Sequence, residues 1–405
     1  MTTSPNEPTG GTPRRAPWRL LALLIAMSAV SSGSLNIMVP AIPGLVAKFK
    51  TDPAYVQLTI SLYLTGLASA QLVFGPLSDR FGRRPVVLAG LGLAALASTA
   101  AIFAWSIAGL VGARLVQSLG ASTGQTISRA IVRDIYERER AASMIGLVTS
   151  VVVFVPMMAP LIGGILDTLF GWEAIFVAVA AMSFAVFVWA ALALPETRKF
   201  PAPGERSHLL ADMRALCSSP RFFGYALCAG FGSAPFFSFL GGAPYVVVDM
   251  LGKTSAEYGV WFFLPAFGFM AGNFMVSRLS GRYTINVLIW WGIALTITGC
   301  LINIAAYLTF TNSPMPALFV PHVLIGIGNG LLLPTAVAGA VSIRPQVAGT
   351  ASGLTGFIQM AIGAVAAQTS GHIIGHATSA TPMLLQMLLF GVATGVAVFV
   401  LVRRN

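Results

Sequence analysis

Charged side chains are scarce in this 405-residue chain, of which only 9% is Asp, Glu, Lys or Arg. Soluble globular proteins carry about 25%. Hydrophobic residues make up 56%, and apolar runs recur along the whole sequence. A soluble globular fold is therefore excluded. The runs are continuous rather than short and alternating, which also excludes a membrane β-barrel.

Cysteine is scarce too. The three cysteines are odd in number and lie in or beside apolar runs, so they predict neither a disulfide framework nor a metal site: Cys217, Cys228 and Cys300. We expect them to be small core residues.

Carboxylates are missing from the middle of the apolar runs, and those nearest fall at the ends: Asp167, Glu173, Asp249 and Glu257. A membrane-embedded enzyme would need clustered His, Asp or Glu at the depth of the bilayer midplane. The sequence therefore predicts no enzyme, no cofactor and no metal. His322, His372 and His376 lie toward helix ends, where a satisfied polar role is favoured over a proton relay.

Twelve apolar stretches are long enough to cross a bilayer, because about 20 helical residues span its roughly 30 Å hydrocarbon core. The sequence therefore predicts an all-α polytopic membrane protein with twelve transmembrane helices. They cover residues 18–39, 55–76, 85–104, 105–128, 141–166, 172–194, 222–245, 257–279, 285–309, 315–337, 346–374 and 382–402.

The net charge of +11 can indicate a nucleic-acid partner, but the positions of the basic residues indicate a membrane. With both termini cytoplasmic, all but four of the 24 Lys and Arg residues fall on the inner side of the predicted helices. Lys48, Lys50 and Lys253 fall outside, and Arg114 lies within a helix. This distribution follows the positive-inside rule, so we expect cytoplasmic termini, a lipid bilayer as partner and no nucleic acid.

A polar interval divides the predicted helices into two sets of six. Residues 195–221 contain Pro, Gly and charge and form the predicted cytoplasmic linker between a bundle at 18–194 and a bundle at 222–402. Residues 273–282 partly repeat the charged segment at 75–85, which is typical of pseudo-symmetric transporters. The polar residues 1–17 are expected to be a disordered cytoplasmic N-terminus, and residues 403–405 a cytoplasmic C-terminus.

Charge and turn formers are combined between the second and third predicted helices. The segment reads Gly75-Pro76-Leu77-Ser78-Asp79-Arg80-Phe81-Gly82-Arg83-Arg84-Pro85. Glycine and proline at its ends permit a sharp reversal, and Asp79 can lie near the N-terminus of the eleventh helix, at 348–353. We predict a tight turn that controls conformation through Gly75, Asp79, Arg80, Gly82, Arg83 and Arg84. The alternative is an ordinary basic cytoplasmic turn.

Two further segments are predicted to take part in conformational change. Asp134 either belongs to a solvated surface or pairs with Arg83 or Arg84 and closes the inner side. In the fifth helix, prolines remove backbone donors and bend the helix, while glycines allow close packing: Gly146, Pro156, Pro160, Gly163 and Gly164.

Arg114 is the basic residue predicted to lie within the membrane. It follows Trp105 by nine positions, which places it about 13 Å deep at 1.5 Å per residue. An arginine at this depth costs at least about 2.5 kcal/mol and indicates a functional site. Gln117 lies on the same face, one turn later. The alternative is a structural arginine that pairs with backbone carbonyls.

Four other side chains are candidates for a substrate cavity. Asn36 closes a polar stripe on the first helix, which we expect to face a cavity or to form interhelical hydrogen bonds. Tyr63 is either a cavity wall or a packing residue. Phe231 and Phe236 lie among glycines on the seventh helix, where they form an adaptable apolar wall or ordinary helix packing.

These motifs together resemble the major facilitator superfamily, in particular the twelve-helix drug:proton antiporters of the bicyclomycin and chloramphenicol resistance type. The charged segment at 75–85 and the Arg-x-x-Gln element at Arg114 carry the resemblance, with the Pro40-Ala41-Ile42-Pro43 ending of the first helix. The fifth helix matches the antiporter pattern at Gly146, Pro160, Gly163 and Gly164, whereas Val155 and Ala159 replace two glycines.

The resemblance implies a monomeric exporter of small amphiphilic drugs in a bacterial cytoplasmic membrane, driven by proton antiport. Such relatives commonly carry an acid where this chain has Asn36, and a neutral side chain cannot bind a transported proton. We therefore expect a cavity that prefers neutral or anionic amphiphiles, attracted by Arg114. The alternatives are a metabolite exporter or a sugar or metabolite uptake carrier of the same fold, and, from another class, a membrane-embedded enzyme or a receptor.

Overall fold

The computed structural model describes residues 18–136, 144–145, 147–148, 151–198, 209–310, 312 and 314–402. The described chain is helical and contains no β-strand, which confirms the all-α class. Within it lie twelve apolar helical segments, numbered α1 to α12: Trp18–Phe49, Pro53–Phe81, Arg83–Ile102, Ile107–Ile135, Phe154–Phe170, Trp172–Ala193, Pro220–Met250, Ser255–Leu279, Ile285–Thr309, Pro314–Ser342, Ala348–Gly375 and Thr381–Leu401. The predicted tail at 1–17 lies outside the described residues.

Ten of these described segments are long and apolar enough to cross a membrane. In the described part, α5 is shorter, with 17 residues. The 29-residue α4 carries Arg114, Gln117 and several serines and threonines that reduce its apolar character. Most of these polar side chains are buried against neighbouring helices, as expected for polar groups at membrane depth.

The first segment extends past residue 39, the predicted end, to Phe49, so the prolines bend the helix, which was one of the two effects expected of them. After Asn36 the chain forms a turn, a 3-10 turn at Val39–Ala41 and a second helical piece at Ile42–Phe49. Pro40 and Pro43 each lie in the first turn of the piece that follows, where a missing backbone N–H leaves no hydrogen bond unmade. The prolines therefore redirect the helix.

The turn predicted within 75–85 is tight, as expected, but it is much shorter than that segment. Helix α2 continues through Pro76 to Phe81, and α3 begins at Arg83. Gly82 alone separates the two helices, with φ of 101°, a backbone conformation that side-chain-bearing residues rarely adopt. The charged residues consequently lie on helix ends, where their positions are better defined than in a loop.

The remaining boundaries differ from prediction by smaller amounts. Helix α7 ends in a π-helical turn at Val246–Met250, and α10 is broken between Pro314–Phe319 and His322–Ser342. The predicted linker contains a nine-residue helix, Leu209–Cys217, that its polar composition did not indicate.

Buried apolar side chains show how the two halves meet. One core cluster contains residues from both halves at the end of the bundle away from Gly82, which the positive-inside rule assigns to the exterior. At the opposite, inner end there are two separate clusters, one formed by residues of the first half and one by residues of the second. The described halves therefore pack together at the end away from Gly82, which we expect to be the outer end.

Helices α2 and α11 run antiparallel across the boundary between the halves. Ser61 donates a hydrogen bond to Gln368 at 2.6 Å, and Gln368 donates to the Ala54 carbonyl at 2.9 Å. Further contacts of the same two helices join Pro53 with Gly375 and Gln71 with Gly356. The boundaries of the two predicted bundles stay a prediction.

Candidate functional site

Arg114 lies at the centre of the first half, where α4 meets α1 and α2. Its Nη1 donates to the Ser34 carbonyl at 2.8 Å and to Gln117 Oε1 at 2.5 Å. Its Nε donates to the Thr59 carbonyl at 3.4 Å. The side chain is 1% exposed, so the guanidinium is enclosed by protein groups in this conformation.

Tyr63 completes the surroundings of this cation. The guanidinium carbon of Arg114 lies 4.1 Å from the centroid of the Tyr63 ring, and the Tyr63 hydroxyl donates to the Ser31 carbonyl at 3.1 Å. A desolvated cation–π contact is worth about 2 kcal/mol. Gln117 in turn donates from Nε2 to Ser98 Oγ at 2.6 Å. The chain therefore holds Arg114 through a continuous polar network.

The structure thus gives Arg114 the carbonyl partners of the structural alternative. Among the described residues no carboxylate lies within ion-pair distance of the guanidinium, so its charge is balanced by dipoles and an aromatic face. The sequence indicates no partner for Arg114, because the positions of backbone carbonyls on two other helices cannot be derived from it. A role in substrate binding stays a prediction.

Several buried polar atoms of Arg114 and α1 have no protein partner: Arg114 Nη2, Ser32 Oγ, Ser34 Oγ and Asn36 Oδ1. Asn36 donates from Nδ2 to the Ser32 carbonyl at 2.9 Å, which leaves its Oδ1 free to accept. A buried polar atom without a partner costs about 1–3 kcal/mol. Each of these four atoms, which we call the polar surface of Arg114 and α1, therefore has a hydrogen bond left to make with water or with a polar ligand group.

The two candidate phenylalanines are not part of this network. Phe231 stacks on Phe390, with ring centroids 6.3 Å apart. Phe236 packs edge-on against Phe237 and Phe262, at 5.4 and 6.2 Å. Both lie in the second half, and their observed contacts are those of helix packing.

One residue that the site prediction omitted is Gln57 on α2. Its side chain is fully buried against Gly371 of α11, and neither amide atom has a hydrogen-bond partner. The sequence holds a signal for it, because Gln57 and Ser61 lie one turn apart and so form a polar stripe on the second helix. Only the packing of α2 on α11 places this stripe between the two halves.

The charged helix ends around Gly82 form an ion-pair network centred on Arg83. Its Nη1 lies 2.5 Å from Asp79 Oδ1 and donates to Ser78 Oγ at 2.6 Å, and its Nε donates to Asp134 at 2.9 Å. The expected contact between Asp134 and Arg83 is therefore present. Both residues belong to the first half, so this pair does not by itself join the halves. The ion-pair partner of Asp79 is Arg83 rather than the start of α11.

Glu196, just after α6, is a second residue that the prediction missed. Burial is the largest single influence and raises the pKa of Glu196, but the backbone N–H groups of Arg198, Arg83, Arg84 and Thr197 donate to the carboxylate and together lower the pKa below its ordinary value. The contacts to Arg83 and Arg84 measure 2.9 and 3.1 Å, so Glu196 caps the N-terminus of α3.

The other predicted members of this turn contact the same region. Arg84 donates from Nη2 to the Ala191 carbonyl at 2.8 Å, and the Arg80 carbonyl accepts from Arg198 Nη1 at 2.9 Å. Gly75 has open space where a side chain would point, so packing there does not require glycine.

In α5, two glycines allow two different close approaches. A Cβ on Gly163 would collide with the Ile37 carbonyl of α1, in the same half. A Cβ on Gly164 would collide with the Ser255 carbonyl of α8, in the other half. Pro160 lies inside the helix and Pro156 in its first described turn. Gly146 lies outside the described residues.

The sequence model described as Major Facilitator Superfamily matches residues 23–367 of this chain. The chain is 32% identical over 345 residues to "Multidrug resistance protein D" of Escherichia coli (strain K12), covering 84% of this chain and 85% of that protein. It is 32% identical over 345 residues to "Chloramphenicol resistance protein" of Pseudomonas aeruginosa, covering 81% and 78%. It is 30% identical to "Multidrug transporter MdfA" of Edwardsiella piscicida over 371 residues, covering 89% and 87%.

Solved structures share the fold. A bacterial homologue of the human lysosomal transporter Spinster, solved in an inward-facing and occupied conformation, superposes with a TM-score of 0.76 at 17% identity, covering 98% of both chains. A D-xylose-proton symporter superposes with a TM-score of 0.76 at 11% identity, covering 95% of this chain and 98% of that one. At these identities the likeness concerns the twelve-helix fold alone.

Proposed function

Because this chain belongs to the major facilitator superfamily, whose members are transporters rather than enzymes, we propose that it exports small amphiphilic drugs or other xenobiotics. The observation that carries the proposal is the similarity to multidrug and chloramphenicol resistance proteins over more than three quarters of the chain. The protein works as a monomer in the bacterial cytoplasmic membrane, with both termini in the cytoplasm, and exchanges substrate for protons by alternating access.

The described conformation supports alternating access. The two halves share a buried core at the outer end and have separate cores at the inner end. Small-residue contacts such as Gly164 against Ser255 hold the outer end closed. Loss of these contacts, with closure at the inner end, would give the opposite state.

The substrate preference is for neutral or anionic amphiphiles. Arg114 has no carboxylate within ion-pair distance among the described residues, and its Nη2 has no hydrogen-bond partner. A substrate that reaches this polar surface meets a positive charge that protein acids do not neutralise. A cation would be repelled there.

The test is the drug susceptibility of cells that express the protein, with and without collapse of the proton gradient. Expression should lower susceptibility to neutral and anionic drugs, and collapse should abolish the effect. Arg114→Ala should abolish this resistance as well. Gln117→Glu, which places a carboxylate beside the guanidinium, should reduce the export of anionic drugs before that of neutral drugs. Arg344→Ala, at an exposed arginine, is the control. An Arg114→Ala protein that exports every drug normally would exclude this role.

A further inference from the structure

Three side chains able to bind a metal ion come together at the outer end of the boundary between the halves. Asp52 precedes α2, His372 lies in the last turn of α11, and His376 follows that helix. Their ligand atoms all lie within 4.8 Å of one another, and all three residues are exposed. Asp52 and His376 are 324 positions apart, so the sequence did not indicate the cluster.

Backbone contacts orient two of these side chains. Asp52 Oδ1 accepts a hydrogen bond from the Ala54 N–H at 2.8 Å, which leaves Oδ2 for another partner. His376 Nδ1 lies 3.0 Å from the His372 carbonyl, an acceptor, so Nδ1 carries a proton. A histidine that donates from one ring nitrogen to a carbonyl is held as metal-ligating histidines commonly are, with the other nitrogen presented to the ion.

The contact that remains requires a cation. His376 Nε2 lies 3.1 Å from Asp52 Oδ2. In the neutral imidazole this nitrogen bears a lone pair, which faces a carboxylate oxygen that can only accept. Two acceptors at this distance repel each other unless a proton or a metal ion lies between them. His372 adds a third donor atom to the same space.

The supporting backbone belongs to both halves. Pro53 packs directly on Gly375, and the Ala54 carbonyl accepts a hydrogen bond from Gln368 at 2.9 Å. Asp52 is therefore held near the histidines only while the outer ends of α2 and α11 are together.

We propose that Asp52, His372 and His376 form a site for Zn²⁺ or a similar divalent transition-metal ion that bridges the two halves. Two imidazoles and one carboxylate suit zinc, cobalt, nickel and copper, and leave a position for water. Ligand atoms at about 2.0–2.1 Å from a tetrahedral ion are roughly 3.3 Å apart, which small side-chain rotations provide here. Since the site needs both halves, bound metal stabilises the conformation that is closed outside.

The test uses the purified full-length protein with ZnCl₂. Calorimetric titration should show one zinc ion per chain, and His372→Ala, His376→Ala and Asp52→Asn should each lose measurable binding. Asp52→Asn keeps the helix cap, because an Asn side chain also accepts from the Ala54 N–H, so its loss of binding does not reflect unfolding. His208→Ala, which removes a histidine from the predicted linker, is the matched control and should bind as the wild type does.

A second measurement tests the bridge itself. Spin labels at Tyr55→Cys and Thr378→Cys, with the three natural cysteines replaced by serine, report the distance between the outer ends of the halves. ZnCl₂ should increase the short-distance population in the protein with intact ligands and leave it unchanged in His376→Ala. Unaltered zinc binding in the ligand variants would overturn the site. Binding without a change in the distance distribution would overturn the bridge.

Discussion

The Ser255 hydroxyl lies 2.6 Å from Asp167 Oδ2, a hydrogen bond that joins α8 of the second half to α5 of the first. The same hydroxyl lies 3.0 Å from the Pro40 carbonyl at the break in α1. Gly164, three residues before Asp167, permits this approach because it has no side chain. This glycine and this short polar contact therefore add to the shared apolar core and to the α2–α11 contacts that join the halves at the outer end.

We expect Gly164→Val to shift the protein toward the conformation open to the exterior, because its side chain collides with the Ser255 backbone only in the closed form. Export should fall while the protein stays folded. The Tyr55/Thr378 spin-label pair should report longer distances. Gly163→Val meets the Ile37 carbonyl of its own half and should instead lower stability, by roughly 1–3 kcal/mol. Gly112→Val is the control, because a side chain at this position would meet open space, and it should change neither export nor stability. Equal effects of Gly164→Val and Gly112→Val would contradict the prediction.

Asn36→Asp should widen the substrate range to cations. The Asn36 side chain is 3% exposed and its Oδ1 has no partner, so an aspartate at this position adds a negative charge to the polar surface of α1. A carboxylate there can also bind a proton, which should make export more dependent on pH. The measurement is the susceptibility of cells expressing Asn36→Asp to a cationic and to a neutral dye, with Asn36→Gln as the control. A range that stays the same in Asn36→Asp would show that residue 36 does not face the substrate path.

Glu196→Ala should destabilise the start of α3 by roughly 1 kcal/mol, the usual effect of losing a helix cap. The pKa of Glu196 is lowered, so the stabilisation of α3 by its carboxylate is present above the ordinary pKa of 4.5 and disappears as the pH falls through the lowered pKa. Hydrogen exchange of the Arg83 and Arg84 amides should accelerate in Glu196→Ala at neutral pH, and much less in Glu196→Gln. Unchanged exchange in both variants would exclude the cap.

The outer contact between Asp52 and His376 should weaken as the pH rises through the raised pKa of His376. The Ala54 N–H and then His376 lower the pKa of Asp52, so the aspartate contributes above its ordinary pKa of 3.8. The His372 carbonyl and then Asp52 raise the pKa of His376 above 6.5. The protonated histidine therefore stabilises the contact at low pH, and this stabilisation is lost as the pH rises through the raised pKa.

In metal-free buffer, the short-distance population of the Tyr55/Thr378 labels should therefore fall as the pH rises above 6.5 and through the raised pKa of His376. His372 and Tyr245 are the other titratable groups near Asp52, so each needs its own control variant. His376→Gln should flatten the dependence. A dependence that persists in His376→Gln would assign it to another group.

Two contacts of the candidate site residues followed from residue types and spacing. Arg114 and Gln117, one turn apart, do share a face and a hydrogen bond, and Asp134 does contact Arg83. The partners of Arg114 could not be predicted, because they are backbone carbonyls of α1 and α2 that no side-chain pattern marks. Glu196 could not be predicted as a cap of α3, because the backbone N–H groups of Arg83 and Arg84 that it binds lie more than 100 positions earlier in the chain.

The sequence by itself determined a bundle of twelve apolar helices and the arrangement of its charges. In the hydrocarbon core each segment must be apolar and must form its own backbone hydrogen bonds, and both requirements are local in sequence. Only the tertiary structure decided that Gly82 alone forms the turn, that Arg114 is enclosed within the first half, and that Asp52 meets His376 across the boundary. Those relationships join residues distant in sequence, and close packing between helices is what brings them together.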